Sequence, residues 1–314
     1  MKYLSLFSGI GGFEKAIEQA YESNNEYAHI SEESEPQERT QGGKRSVDIN
    51  KTQLHDRDRT ALLCIGYSEI DRYATKIYEA HYPDHKPYGD ITAIVTSQLP
   101  DFDLLVGGFP CQSFSIAGKR GGFNDTRGTL FFEIARILRD KRPRYLVLEN
   151  VKGLLSHDSG KTFSTILGVL TDIGYDCQWQ VLNSKNFGVP QNRERVFIVG
   201  HLRGTSRPEV FPIGESNGEF KEISQLNNPR HSNDRVYGTD GISPTLNTAQ
   251  GGNRQPFIPE NSRIRRLTPV ECARLQGFPD DWHKIEGISD TQAYKCYGNA
   301  VTVNVVEEVI KRLF

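Results

Sequence analysis

Two residues, Phe109 and Pro110, separate Cys111 from an apolar run, Leu104-Leu105-Val106, that ends in Gly107-Gly108. The run reads as a buried strand. Pro110 fixes its own φ and biases Phe109 away from the helical region, so the backbone leaves the strand stiff and extended. A thiol at the carboxyl end of a strand lies where open α/β sheets hold their ligands. Residues 112–128 then carry Gly118, Lys119, Arg120, Gly121, Gly122, Arg127 and Gly128 with few apolar anchors, a composition suited to a loop that closes over an anion. Cys111 is therefore either a nucleophile or one more small buried hydrophobe at a strand end. The Pro-Cys turn and the basic loop favour the first.

Carboxylates recur at strand ends. Glu149, followed by Asn150, closes Leu146-Val147-Leu148 on the same expected rim, either as a positioned acid or as the N-cap of the next helix. Glu69 and Asp71 end the strand read at 62–71, where an acid can bind ribose hydroxyls. Asp90, in the segment 88–92, is a cofactor contact or an N-cap. Arg193 and Arg195, just past Gln191, lie two apart and so share a strand face, placed to order a loop or bind phosphate.

The elements that must position these groups are legible in order. Residues 3–8 read as a strand, Gly9, Gly11 and Gly12 as a tight turn, and 13–22 as a helix with Phe13, Ala16, Ile17 and Ala20 on one face. Strand, glycine turn and helix form the layout of a nucleotide crevice, but Glu14 occupies the third glycine position of the dinucleotide fingerprint, which weakens an NAD reading. Residues 23–61 are a polar insertion without aliphatic periodicity, expected as a mobile surface segment. Helices are expected at 72–82, after the cysteine loop up to Pro143, and at 162–173, with a strand at 177–182 and another after Arg195. Arg136, Arg139, Lys141, Arg142 and Arg144 read mostly as a solvated face. From 201 to 266 the texture turns loop-rich, with a basic run at 263–266 that suits nucleic-acid backbone or plain solvent. Thr268, Pro269 and Glu271 then make a capped helix start. The expected division is 1–200 plus 292–314 as the large domain, 201–266 as the small one, and 267–291 as a hinge.

With 314 residues, 36% of them hydrophobic and 25% charged, the chain can bury a large core. No apolar run approaches the length of about 18 residues that spans a bilayer. The N-terminus does not read as a secretory signal, so the cytoplasm is the default. Five widely spaced cysteines without a CxxC pair predict neither zinc nor a disulfide framework. A net charge of −2 leaves nucleic-acid binding to local patches.

Six blocks, LFSGIGGF, GGFPCQSFS, LENVKG, QNRERVFIVG, RRLTPVECARLQGFP and YGNAVTVNV, occur in the order found in the DNA cytosine-5 methyltransferases of bacterial or phage type, and the chain resembles that family along its length. The resemblance implies an α/β fold with a Rossmann-like, mostly parallel sheet of the S-adenosylmethionine-dependent methyltransferase type and a small, loop-rich β target-recognition domain. It implies that Cys111 attacks carbon 6 of a cytosine flipped out of duplex DNA, that Glu149 bonds ring nitrogen 3 and the exocyclic amine, and that Arg193 and Arg195 serve the thiolate or the target phosphate. S-adenosylmethionine is the implied cofactor. Phe7, Gly9, Ile10 and Gly12 fall in the methionine and turn region, Glu69 and Ile70 at the ribose and adenine, Asp90 and Ile91 at the adenine, and Asn299 and Val301 on the far side. Gln112, Ser115, Lys119, Arg120, Thr245, Leu246 and Arg254 are the implied DNA contacts, Thr245-Leu246 resembling the family's Thr-Leu signature. Ile70 replaces the large aromatic common at its position, and the 23–61 insertion has no counterpart. The implied setting is a monomer in the cytoplasm of a bacterial or phage-infected cell. It is either paired with a restriction endonuclease for the same site or a protective methylase alone. The rivals are a transfer-RNA cytosine-5 methyltransferase, a catalytically dead DNA-binding subunit and an NAD oxidoreductase.

Overall fold

The computed structural model describes residues 1–33, 62–110, 130–214, 222–229, 234–248, 255–261 and 263–314. Cys111, Gln112, Ser115, Lys119, Arg120 and Arg254 lie outside the described residues.

Six strands form one sheet: β1 (Lys2–Leu6), β2 (Leu63–Ser68), β3 (Leu104–Gly108), β4 (Tyr145–Val151), β5 (Tyr175–Asn183) and β7 (Glu194–Leu202), in the order β2-β1-β3-β4-β7-β5. The pairs β1/β2, β1/β3 and β3/β4 are parallel, while β7 runs antiparallel to both β4 and β5. The sheet is thus mostly parallel. Its strand order reverses between β1 and β3, which opens a crevice at their carboxyl ends.

Alternation in the strands feeds a core on each face. Tyr3, Leu104, Val106, Tyr145 and Val147 point to one face, and Leu4, Leu6, Leu105, Leu146 and Leu148 to the other. On the first face pack α1 (Gly12–Glu33) through Phe13, Ala16 and Ile17, and α7 (Val303–Leu313) through Val306, Val309 and Ile310. The second is covered by α3 (Leu130–Lys141), through Phe131, Ile134 and Leu138, and by α4 (Lys161–Asp172), through Ile166 and Leu170. Each of these buried side chains apart from Ala16 contributes about 1.5–3 kcal/mol of transfer free energy. Helix α2 (Arg72–His81) is N-capped by Asp71, whose carboxylate accepts from the amides of Tyr73 and Ala74. Among the described residues no helix is long and apolar enough to cross a membrane.

Two sequence expectations shift. Helix α1 runs on to Glu33, so the polar stretch from residue 23 begins as helix; no glycine or proline interrupts it before Pro36. In the loop-rich part, β8 (Ser243–Pro244) pairs in parallel with β6 (Gln191–Asn192), and β9 (Phe257–Glu260) pairs antiparallel with β10 (Arg263–Arg266). The basic run is β10 itself, and Arg265 there is held by Glu260 and Glu271 at 2.8 Å each rather than left to solvent. The capped helix start is present: α5 (Pro269–Leu275) opens with a Thr268–Glu271 capping box and Pro269 in its first turn. Helix α6 (Asp290–Asn299) comes next.

Glu14 sits fully buried in the first turn of α1. Its Oε1 accepts from the Tyr78 hydroxyl at 3.0 Å. Burial pushes its carboxyl up to about 7, against hydrogen bonds from Ser5, its own amide and Tyr78. A carboxyl raised on folding binds its proton more tightly in the native state, so stability is lost as pH climbs from the unfolded carboxyl value toward 7 and is level above it. Glu14→Gln is therefore expected to leave stability at pH 4.5 nearly unchanged and to raise it at pH 8 by roughly 3 kcal/mol. Urea unfolding at the two pH values reads the difference.

Candidate active site

The crevice begins where β1 ends. Phe7 and Gly9 both adopt positive φ, at 54° and 56°, which turns the chain sharply ahead of α1. The Gly9 amide donates to Glu69 Oε2 at 2.8 Å, and Glu69 Oε1 accepts from the amides of Ile70 and Asp71, also at 2.8 Å each. One carboxylate thus ties the end of β2 to the glycine turn. Beside it Ile70 is 75% exposed, an apolar plate with nothing on it, and a Cβ built on Gly9 would meet no atom within 4 Å. Asp90 follows Gly89, whose carbonyl accepts from the Ser68 hydroxyl at the end of β2 at 2.7 Å. Its Oδ1 caps a short 3₁₀ turn, Ile91–Ala93, accepting from the Thr92 amide at 2.9 Å and hydroxyl at 2.8 Å, while Ile91 is buried beneath.

The other implied cofactor residues are arranged behind or across from this opening. Gly12 does not border open space: a Cβ there would lie 2.7 Å from Val301 Cγ2, so this glycine lets α1 approach the C-terminal segment. Ile10 is buried, and its carbonyl accepts from Trp282 Nε1 at 2.8 Å. Asn299 is exposed at the end of α6, and Val301 is buried between the glycine turn and the end of β3. Trp282 was not among the residues singled out from sequence. Its signal was faint: an indole N–H, when buried, seeks an acceptor.

On the neighbouring strands the parallel register sets Gly108 beside Glu149. Glu149 belongs to β4 itself and caps nothing. It is buried, with Oε1 3.0 Å from Arg195 Nε, and Arg195 Nη1 donates to the Glu194 carbonyl at 2.8 Å. Burial raises the Glu149 carboxyl, and the charges of Arg195 and Arg193 work against that rise. Asn150, on the opposite face, donates from Nδ2 to the Phe109 carbonyl at 2.7 Å and so holds the backbone that leads into Pro110 and Cys111.

Arg193 and Arg195 part company. Arg193 is 2% exposed and donates to three backbone carbonyls, those of Leu246 at 3.2 Å, Gly298 at 3.1 Å and Ala300 at 2.8 Å. Burial, and then the like charge of Arg195, push it down to about 9, so it remains a cation at neutral pH. Gln191 completes the clamp, accepting from the Leu246 amide at 3.1 Å and donating to the Leu275 carbonyl at 2.7 Å. The Thr245 hydroxyl donates to the Asn192 carbonyl at 2.5 Å, and Leu246 is buried. In this arrangement Leu246 and Arg193 are turned inward, where neither side chain can meet a phosphate. They pin the Thr-Leu segment to the strand end and to the residues flanking Asn299.

That pinning needs a bare backbone at Gly298, because a Cβ there would drive into the Asn247 carbonyl. Gly298→Ala is expected to cost about 1–3 kcal/mol of stability, the range for overpacking. Chemical denaturation measures it, and an unchanged midpoint would show that the segment at Asn247 yields freely.

Known proteins resemble the chain along most of its length. The model of the family described as C-5 cytosine-specific DNA methylase matches residues 50–256 and 214–314. The Type II methyltransferase M1.ScrFI of Lactococcus lactis subsp. cremoris is 40% identical over 296 residues, covering 84% of this chain and 75% of that protein. The Type II methyltransferase M.HpaII of Haemophilus parainfluenzae is 39% identical over 298 residues, covering 80% and 82%. Among solved structures, the S. pombe Dnmt2 methyltransferase superposes with a TM-score of 0.69 at 19% identity, covering 99% of this chain and 97% of that one, a likeness of fold. The chain belongs to the C-5 cytosine-specific DNA methylase family.

Proposed function

We propose that this chain transfers the methyl group of S-adenosylmethionine to carbon 5 of a flipped-out cytosine in a specific duplex DNA site. The observation that carries the reading is Glu149, a buried carboxyl raised by its surroundings and steadied by Arg195, beside the strand end that leads to Cys111.

The crevice residues fit the cofactor. The open space at Gly9, the exposed Ile70 and the acid at Glu69 suit a ribose and an aromatic ring. Glu69 spends three acceptor positions on amides, and a carboxylate has about four, which leaves one for a ribose hydroxyl. Glu69 and Ile70 would hold the ribose and adenine, Asp90 would take the adenine with Ile91 anchored beneath it, and Phe7, Gly9, Asn299 and Val301 would border the methionine side. Ile10 and Gly12 act by packing behind the turn. Bound there, S-adenosylmethionine supplies an electrophilic methyl on a sulfonium.

Cytosine carbon 5 is not nucleophilic until the ring's aromaticity is broken. The Cys111 thiolate does this by bonding to carbon 6. The electrons of the 5,6 double bond move to carbon 5, and ring nitrogen 3 takes a proton from Glu149. Carbon 5 then bonds the methyl as the sulfonium's carbon–sulfur bond breaks, which leaves S-adenosylhomocysteine. Solvent takes the carbon 5 proton, those electrons restore the 5,6 double bond as the Cys111 sulfur leaves as thiolate, and ring nitrogen 3 returns its proton to Glu149. Arg195 holds Glu149 in line, and Arg193 keeps the Thr245–Leu246 segment in register with it. Gln112, Ser115, Lys119, Arg120 and Arg254 contact the DNA, whose base leaves the stack at a cost of about a few kcal/mol. We place the protein in the cytoplasm as a monomer, within a restriction-modification system or as a protective methylase.

Bisulfite sequencing of DNA from cells expressing the chain tests the product and reveals the site together. Transfer of tritiated methyl to duplex DNA is expected. Transfer to RNA alone would replace this reading with the RNA-directed one.

A further inference from the structure

Arg136 reads from the sequence as part of a solvated basic face, yet in the fold it bridges α3 to the 3₁₀ turn that carries Asp90. Its Nη1 donates to the Ile94 carbonyl at 2.9 Å, its Nη2 to the Ile91 carbonyl at 3.2 Å, and its Nε to Glu133 Oε2 at 2.8 Å. Ile91 and Ile94 are themselves buried against the α3 side of the sheet. A single 3₁₀ turn of three residues gains little from its own hydrogen bonds, so its position is set by what grips its ends. At the start the grip is Asp90 on Thr92, preceded by the Ser68 hydroxyl on the Gly89 carbonyl at 2.7 Å. At the other side it is Arg136, whose guanidinium spans the carbonyl of the turn's first residue, Ile91, and that of the residue just past it, Ile94. Farther along α3, Asp140 accepts from the Thr96 hydroxyl at 2.8 Å, and Lys141 donates to the Leu99 carbonyl at 2.9 Å. One helix thus fixes the whole segment from 91 to 99.

We propose that Arg136 is a positioning residue for adenine recognition, holding the turn that presents Asp90 to the purine edge while Ile91 anchors it to the core. This rests on the assignment of Asp90 to the adenine made above. A carboxylate accepts from a 6-amino group and repels a 6-oxo group, so the turn's placement is read in the preference for adenine over hypoxanthine.

The test is calorimetric titration of the full chain with S-adenosylhomocysteine and with S-inosylhomocysteine. The unaltered chain is expected to prefer the adenine compound by about tenfold or more, as a site built around a substrate amine does. Arg136→Met keeps the apolar stem and removes both carbonyl bonds. It is expected to weaken the adenine compound by about tenfold, the worth of one to two hydrogen bonds, and to leave the inosine compound nearly unchanged. Arg136→Gln, which retains one donor, is read in the same way and serves if the methionine chain does not fold. A folded variant that keeps the full preference, or that loses both ligands equally, overturns the positioning role. Failure of the unaltered chain to bind S-adenosylhomocysteine at all would instead remove the cofactor reading, and this proposal with it. Equal binding of the two ligands by the unaltered chain would remove the Asp90 assignment and the proposal alone.

Discussion

Changing Cys111 to serine is expected to abolish methyl transfer, by more than about 10⁴-fold, while duplex DNA is still bound. The nucleophile is the thiolate, and a free thiol with a pKa of about 8.5 is already partly ionised near neutral pH. A serine hydroxyl is a far weaker acid and adds poorly to a pyrimidine ring. The contacts proposed for binding, from Lys119, Arg120 and Arg254, are untouched by the change. Tritium transfer measures turnover, and a mobility shift measures binding. A duplex carrying 5-fluorocytosine gives a further readout. Fluorine cannot leave carbon 5 as a proton does, so the unaltered chain is expected to be trapped as a covalent protein–DNA species when cofactor is present. The serine chain should give none. A serine variant that methylates at the ordinary rate removes Cys111 from the mechanism.

Glu149→Gln is the second large effect. Glutamine fills nearly the same volume but cannot protonate ring nitrogen 3, and turnover is expected to fall by about 10²–10⁴, the range for a positioned general acid. Two consequences separate this loss from a general weakening of the fold. A neutral amide removes the countercharge of Arg195 in a site where its side chain is 16% exposed, so some stability is lost, and the melting temperature reports that part. The pH profile reports the chemistry. Burial raises the Glu149 carboxyl, so its proton persists above the usual carboxylate range and is lost as pH rises. Thiolate formation at Cys111 gains over the same direction, giving a bell. In the glutamine chain the alkaline limb should vanish and the acid limb remain. An alkaline limb of unchanged position in Glu149→Gln would assign that limb to another group.

Much of the site could be read along the chain because it is built from strand ends. Leu104 to Gly108 and Tyr145 to Val151 are apolar runs whose last residues must reach a rim, and their parallel pairing sets Gly108 beside Glu149. The Thr268–Glu271 cap is likewise local, since donor and acceptor lie within three residues, whereas Asp71, read with Glu69 as an acid for ribose, caps α2 instead. Where the local pattern left two meanings, the fold divided them. Asp90 caps a turn, whereas Glu149 caps nothing and pairs with Arg195.

The sequence by itself determined the order of elements, the buried faces and the set of residues at the strand ends, because periodicity and turn chemistry act over a few neighbouring residues. The tertiary structure alone decided the partners of the long cationic side chains. Arg136 reaches carbonyls 42 and 45 positions away, and Arg193 reaches others 53, 105 and 107 positions away. A backbone carbonyl is the same acceptor at every residue. Nothing in the order of amino acids marks which one a guanidinium will meet until the core has packed and the remaining carbonyls have found their own donors.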